Sequence, residues 1–117
     1  MNDFGQQLRR RREQRREHDP GFSVRRLAGR VGIEPSYLSK IERGEQPPPS
    51  EETIRGLAQE LGEDADVLLA LGGKVSGDLL RIIRRRPSLF AQLIRDLKDL
   101  PDHAVLRLVR EVRGGHW

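Results

Sequence analysis

SVRRLAGRVGIEPSYLSKIERG, residues 23–44, decides the fold. Leu27 and Val31 stand one turn apart and share a helix face, and Leu38 and Ile41 do the same three residues apart. Ser23 stands where a helix N-cap belongs, because its hydroxyl can accept a hydrogen bond from a first-turn amide. Gly32 sits at the corner, where a left-handed backbone is open to glycine, and Ile33 is placed to plug the angle from inside. Pro35 suits the first turn of the next helix, where its missing N–H would have had no partner. Gly44 closes that helix after barely three turns. Ala28 is small enough for a second helix to approach closely. Two short helices joined by such a turn cross steeply, and the outer face of the second is left in solvent. The pattern is a helix-turn-helix.

Outward from this stretch, everything reads as helix, since no segment keeps a period-two alternation. Asp3 is placed to cap a first helix, with Gln6 three residues on and Phe4 and Leu8 as its apolar stripe; it ends before HDPGF. EQPPP is a rigid connection. Ser50 caps a fourth helix that opens with Glu51 and Glu52, where the dipole favours acid, buries Ile54, Leu57, Ala58 and Leu61, and stops at Gly62. A short fifth helix begins near Asp64 and carries Val67, Leu68 and Leu71. GGK at 72–74 marks a domain boundary. Three helices follow: one capped by Ser76 with Leu79, Ile82 and Ile83; one opened by Pro87 and running to Leu100; one opened by Pro101 with Val105, Leu106, Leu108, Val109 and Val112. The expected architecture is all-α, a five-helix domain over 1–72 and a helical segment over 73–117.

The 117 residues carry a net charge of +4, unevenly spread. Residues 1–50 hold 11 basic and 7 acidic side chains, while 51–117 hold 11 of each. The basic excess in the first half is what a phosphate-facing surface requires, or else a solvated face. With no cysteine, disulfides and thiolate metal sites are excluded. No apolar run reaches a membrane span and the N-terminus has no signal-peptide core, so a soluble cytoplasmic protein is expected. His18, His103 and His116 stand alone, without the spaced partners a metal needs. No phosphate-binding glycine loop occurs. The expectation is a protein without cofactor or metal that is not an enzyme. Aromatics at 4% argue against single-strand RNA binding by stacking.

Residues 23–44, with SYLSKIERG at their end, PSEETI at 49–54 and DVLLALGG at 66–73, resemble the Cro/C1 (Xre-type, lambda-repressor-like) DNA-binding family over residues 4 to 72. The resemblance implies that the third helix is short to fit the major groove, about 12 Å wide. It assigns base contacts by position to Ser36, Ser39 and Lys40. Phosphate contacts fall to Tyr37, Arg43, Arg25, Arg26 and the Ser23 helix start, whose amides suit an anion. Alternatives stay open: Ser36 can simply supply a polar position in the first turn, Ser39 can bond back to its own helix, Lys40 suits base or phosphate, Tyr37 can be half-buried packing, and Arg25 and Arg26 can be solvated. The resemblance also pairs Arg12 with Glu42. Three departures stand out: Val24 replaces a frequent Gln, Arg11 replaces an aliphatic residue, and the connection from helix 1 to helix 2 is long.

The C-terminal helices carry more aliphatic surface than they need to cover themselves. Leu89, Phe90, Leu93, Ile94 and Leu97 form a broad stripe suited to a second copy or to an internal core. Arg84, Arg85 and Arg86 suit either a solvated helix end or a DNA contact. Two functions follow. One is a sequence-specific double-stranded DNA-binding regulator, a repressor binding a palindromic operator as a homodimer. The other is a protein-interaction adaptor, antitoxin-like, whose C-terminal helices hold a toxin or protease.

Overall fold

A computed structural model describes residues 3–115 and 117, with the side chain of Asp3 outside that description; the expected Asp3 cap and His116 therefore fall outside the described residues. Eight α-helices account for the regular structure, with a single 3₁₀ turn at Pro20–Phe22 and no strand among the described residues. They are α1 Asp3–Arg16, α2 Val24–Val31, α3 Pro35–Glu42, α4 Glu51–Leu61, α5 Ala65–Leu71, α6 Gly77–Arg85, α7 Pro87–Leu97 and α8 Asp102–Gly114. The chain divides into two compact units, Met1–Ser76 and Gly77–Trp117, so the division falls a few residues beyond GGK.

Local chemistry fixes the helix ends of the first unit. Ser23 accepts from the Arg26 amide, Ser50 from that of Thr53, and Asp64 from those of Asp66 and Val67. Each such cap contributes about 1 kcal/mol. Asp19 caps the 3₁₀ turn through the Gly21 amide at 2.8 Å. Gly32 has φ 85°, and both it and Ile33 donate to the Ala28 carbonyl, which closes α2. Gly62, with φ 68°, closes α4 in the same way on Ala58.

The core of the first unit gathers Phe4 and Leu8 of α1, Phe22, Leu27 and Ala28 of α2, Leu38 and Ile41 of α3, four residues of α4, and Leu68 and Leu69 of α5. Full burial of one such aliphatic or aromatic side chain is worth about 1.5–3 kcal/mol. The expected stripe of α4, Ile54, Leu57, Ala58 and Leu61, is wholly buried. In α5 the apolar residues divide between core and solvent. Leu68 and Leu69 face the core, whereas Val67 is 52% and Leu71 37% exposed. Apart from Asp66 the seven residues of α5 are apolar, so packing on α4 and α1 selects which of them face inward.

Within the second unit, α6, α7 and α8 contain no buried residue. α7 stops at Leu97 rather than Leu100. Pro101 disfavours helical backbone at the residue before it, and the chain turns through 98–100. Between α7 and α8 lies an apolar cleft of about 360 Å³ lined by Leu93, Leu97, Val105, Leu108, Val109 and Val112, with Arg113 at its edge. No helix among the described residues is long and apolar enough to cross a membrane.

Candidate nucleic-acid interface

The inner face of α3 is fixed in three ways. Leu38 and Ile41 are fully buried. Glu42, the last helical residue, accepts from Arg12 in a two-pronged bond, Nε to Oε2 at 2.7 Å and Nη2 to Oε1 at 2.8 Å. Both side chains are only 4% exposed. Arg12 Nη1 also donates to the Phe22 carbonyl at 3.2 Å, so one guanidinium ties α1, α3 and the 3₁₀ turn together. Arg12 occupies the third position of the stripe Phe4, Leu8, Arg12, and the planar fork matches a carboxylate as an ammonium would not.

The third restraint has no counterpart in the sequence reading. Gly5 of α1 lies against the end of α3. A Cβ there would collide with the Ile41 carbonyl oxygen and stand 2.9 Å from that of Glu42. Glycine inside a helix costs roughly 1 kcal/mol relative to alanine, and that cost is the one signal in the sequence that a close approach is needed. Gly44, with φ 76°, then lets the chain turn, and the Glu45 amide bonds the Lys40 carbonyl at 2.8 Å.

With the inner face held, the outer face is polar. Pro35, Ser36, Lys40 and Arg43 are exposed, and Tyr37 and Ser39 are half-buried. Tyr37 packs against the core. Among the described residues neither the Ser36 nor the Ser39 hydroxyl has a hydrogen-bond partner, so Ser39 does not bond back to its helix. At the start of α2, Arg25 and Arg26 are exposed. Val24, where a bracing Gln was a possibility in the resemblance, is half-buried against the core instead. The Ser23 hydroxyl oxygen accepts from the Arg26 amide at 3.2 Å.

Five other cations of this unit have ion-pair partners among the described residues. Arg9 pairs with Glu13, Arg11 with Glu63, Arg30 with Glu60, Arg55 with Glu51 and Arg43 with Glu45. Arg11, at the expected aliphatic position, thus reaches α4's far end. Arg30 also donates to the Gly21 carbonyl at 2.6 Å, and its guanidinium lies 5.0 Å from the centre of the Phe22 ring. The long α1–α2 connection is therefore a plugged and braced corner. The hydrogen bond from Arg9 holds the Glu13 carboxyl below its ordinary range, and the same bond raises Arg9. Arg25, Arg26 and Lys40 have no ion-pair partner among the described residues. They stand on the two helices of the helix-turn-helix. No group of three potential metal ligands occurs among the described residues.

A short helix locked from within, with hydroxyls and a lysine outside and two arginines on the preceding helix that have no ion-pair partner among the described residues, defines a DNA-binding helix-turn-helix protein. A family model described as a helix-turn-helix domain matches residues 3–71, and the chain belongs to that family, in keeping with the Cro/C1-type resemblance. Among solved structures, one from a SinR protein/SinI protein complex is similar, with 20% identity over 94% of each chain and a TM-score of 0.51; the likeness is one of fold. No curated protein matches the chain.

Proposed function

We propose that this DNA-binding regulator is a sequence-specific repressor that binds a palindromic operator as a homodimer, in the cytoplasm and without catalysis. The observation that carries this reading is the free outer face of α3. Ser36, Ser39 and Lys40 meet base edges, because hydroxyls and an ammonium suit the donors and acceptors of the major groove. Arg25, Arg26, Tyr37, Arg43 and the amides beside Ser23 take phosphates and set the register. The exposed pair Arg43–Glu45 opens on binding, at a cost below about 1 kcal/mol. The apolar surface of Leu89, Phe90, Leu93, Ile94 and Leu97 joins two copies, so that two half-sites about one helical turn apart are read together.

A second reading has its own support. The unburied helices α6–α8 suit a protein partner, and the similar solved structure is of a protein–protein complex. On that reading the chain is an adaptor or antitoxin-like protein. Selection of bound duplexes from a random pool separates the two. Enrichment of an inverted repeat, with reduced transcription from a template that carries it, is expected. Binding with no enriched sequence favours the adaptor.

A further inference from the structure

The structural division reassigns the charge of the molecule. Met1–Ser76 contains 13 basic and 13 acidic residues, and Gly77–Trp117 contains 9 and 5. The helix-turn-helix unit is therefore neutral, because Glu51, Glu52, Glu60, Glu63, Asp64 and Asp66 of the α4–α5 region offset the arginines of α1 and α2. The whole net charge of +4 belongs to the second unit.

Its cations are not evenly spread. Arg81, Arg84 and Arg85 of α6 stand at i, i+3 and i+4, on one helix face, with Leu79, Ile82 and Ile83 on the other. All three arginines are exposed, and Arg86 follows directly. Arg81 approaches Asp78 at 3.8 Å with both side chains more than 70% exposed. Arg84 and Arg85 have no ion-pair partner among the described residues. In α1, by comparison, Arg9, Arg11 and Arg12 have carboxylates, while Arg10, Arg15 and Arg16 have no ion pair among the described residues. Like charges three and four residues apart destabilise a helix by a few tenths of a kcal/mol per pair. The dipole of α6 favours the arginines of its last turn, but Arg81 lies before that turn. An external polyanion relieves the repulsion.

We infer that the cationic face of α6, Arg81, Arg84 and Arg85, is a second DNA-binding surface that takes backbone phosphates of the duplex read by α3. This rests on the DNA-binding reading of α3 and adds to it. With no net charge, the helix-turn-helix unit as a whole exerts only weak long-range attraction on a polyanion, whatever its local cations add at contact. The second unit supplies it, and tethering to α3 keeps the arginines at high local concentration near any bound duplex. Phosphates carry no direct sequence information, so α6 adds affinity and salt dependence without preference.

The test measures binding of the full chain to its selected duplex and a scrambled one across a salt series. The chains compared are wild type, R81A/R84A/R85A and R81K/R84K/R85K, with light scattering giving the slope per bound subunit. Each lost phosphate contact flattens the log–log slope by about 0.9, so the alanine variant is expected to lose about 2.7 per subunit and to weaken on both duplexes by the same factor. The lysine variant, which keeps the charge, is expected to retain the wild-type slope. An alanine variant with an unchanged slope overturns the inference, as does a lysine variant that loses the slope too. So does a loss confined to the selected duplex. Arginine-dependent binding to phosphatidylserine vesicles with an unchanged DNA slope would assign the face to membranes instead. Failure of the α3 reading looks different: wild type would then not distinguish the two duplexes at all.

Discussion

Both units are built from amphipathic helices, yet only one has an inside. In Met1–Ser76, thirteen hydrophobic residues are buried in one cluster, and the helix ends and a charged pair are tied to it. In Gly77–Trp117, Leu89 is 65% exposed and the best-covered side chains, such as Phe90, Leu97 and Val105, are only half-buried. Periodicity of apolar residues therefore states which face of a helix is sticky and leaves open what covers it. In the first unit the cover is other helices of the same chain. In the second, on the reading proposed above, it is another copy.

The buried Arg12–Glu42 pair sets the largest expected difference. Glu42→Ala leaves the Arg12 guanidinium buried without its partner, at a cost of about 3–5 kcal/mol in chemical denaturation. An unchanged midpoint would mean that the pair contributes nothing to the fold. Leu57→Ala, which empties a fully buried site on α4, is expected to cost about 2–5 kcal/mol. The same truncation at Leu93, 49% exposed on α7, should cost the dilute chain less than about 0.5 kcal/mol. Leu93→Ala is instead expected to lower the mass seen by light scattering at micromolar concentration. If Leu93→Ala matches Leu57→Ala in denaturation, the second unit has a core of its own.

Two glycines sharpen the contrast within the first unit. Gly5→Ala forces a methyl group against the backbone at the end of α3 and is expected to cost about 1–3 kcal/mol. At Gly32 a Cβ meets nothing within 4 Å, so only the left-handed backbone resists substitution. Gly32→Ala should therefore cost about 1–2 kcal/mol. Hydrogen exchange distinguishes them: Gly5→Ala should loosen α3 itself, Gly32→Ala the turn before it. The smallest effect belongs to Glu45→Ala. Freed of its exposed partner, Arg43 should bind selected and scrambled duplexes more tightly, by a common factor of less than about five. Weaker binding would show that Glu45 helps to hold the contact.

The sequence was legible where one residue type does one local job. Ser23, Ser50 and Asp64 cap, and Gly32, Gly44 and Gly62 close, because each acts within a few residues of itself. What depends on distant partners was legible only for Arg12 and Glu42, and there through the family resemblance. Which side of α5 turns inward is set by packing on α1 and α4, since Val67, Leu68, Leu69 and Leu71 are all apolar. Which arginines stay unpaired is set by carboxylates as far away as Glu60, thirty residues from Arg30. The role of Gly5 is hidden in the same way, because the carbonyls it meets belong to α3. The polar face of α3 was readable, being what remains once Leu38 and Ile41 are assigned to the core.

That face is the centre of the account, and mutagenesis of it is the most direct test. Ser36→Ala, Lys40→Ala and Arg43→Ala are each measured on the selected duplex, on single-base variants of it and on a scrambled duplex, across a salt series. Ser36→Ala and Lys40→Ala are expected to change preference at particular base pairs by about 1–3 kcal/mol. Arg43→Ala is expected to flatten the salt slope by about 0.9 per subunit and to weaken all duplexes alike. If Ser36→Ala and Lys40→Ala also weaken every duplex by one common factor, α3 does not read bases, and the account of this protein as a sequence-specific regulator is contradicted.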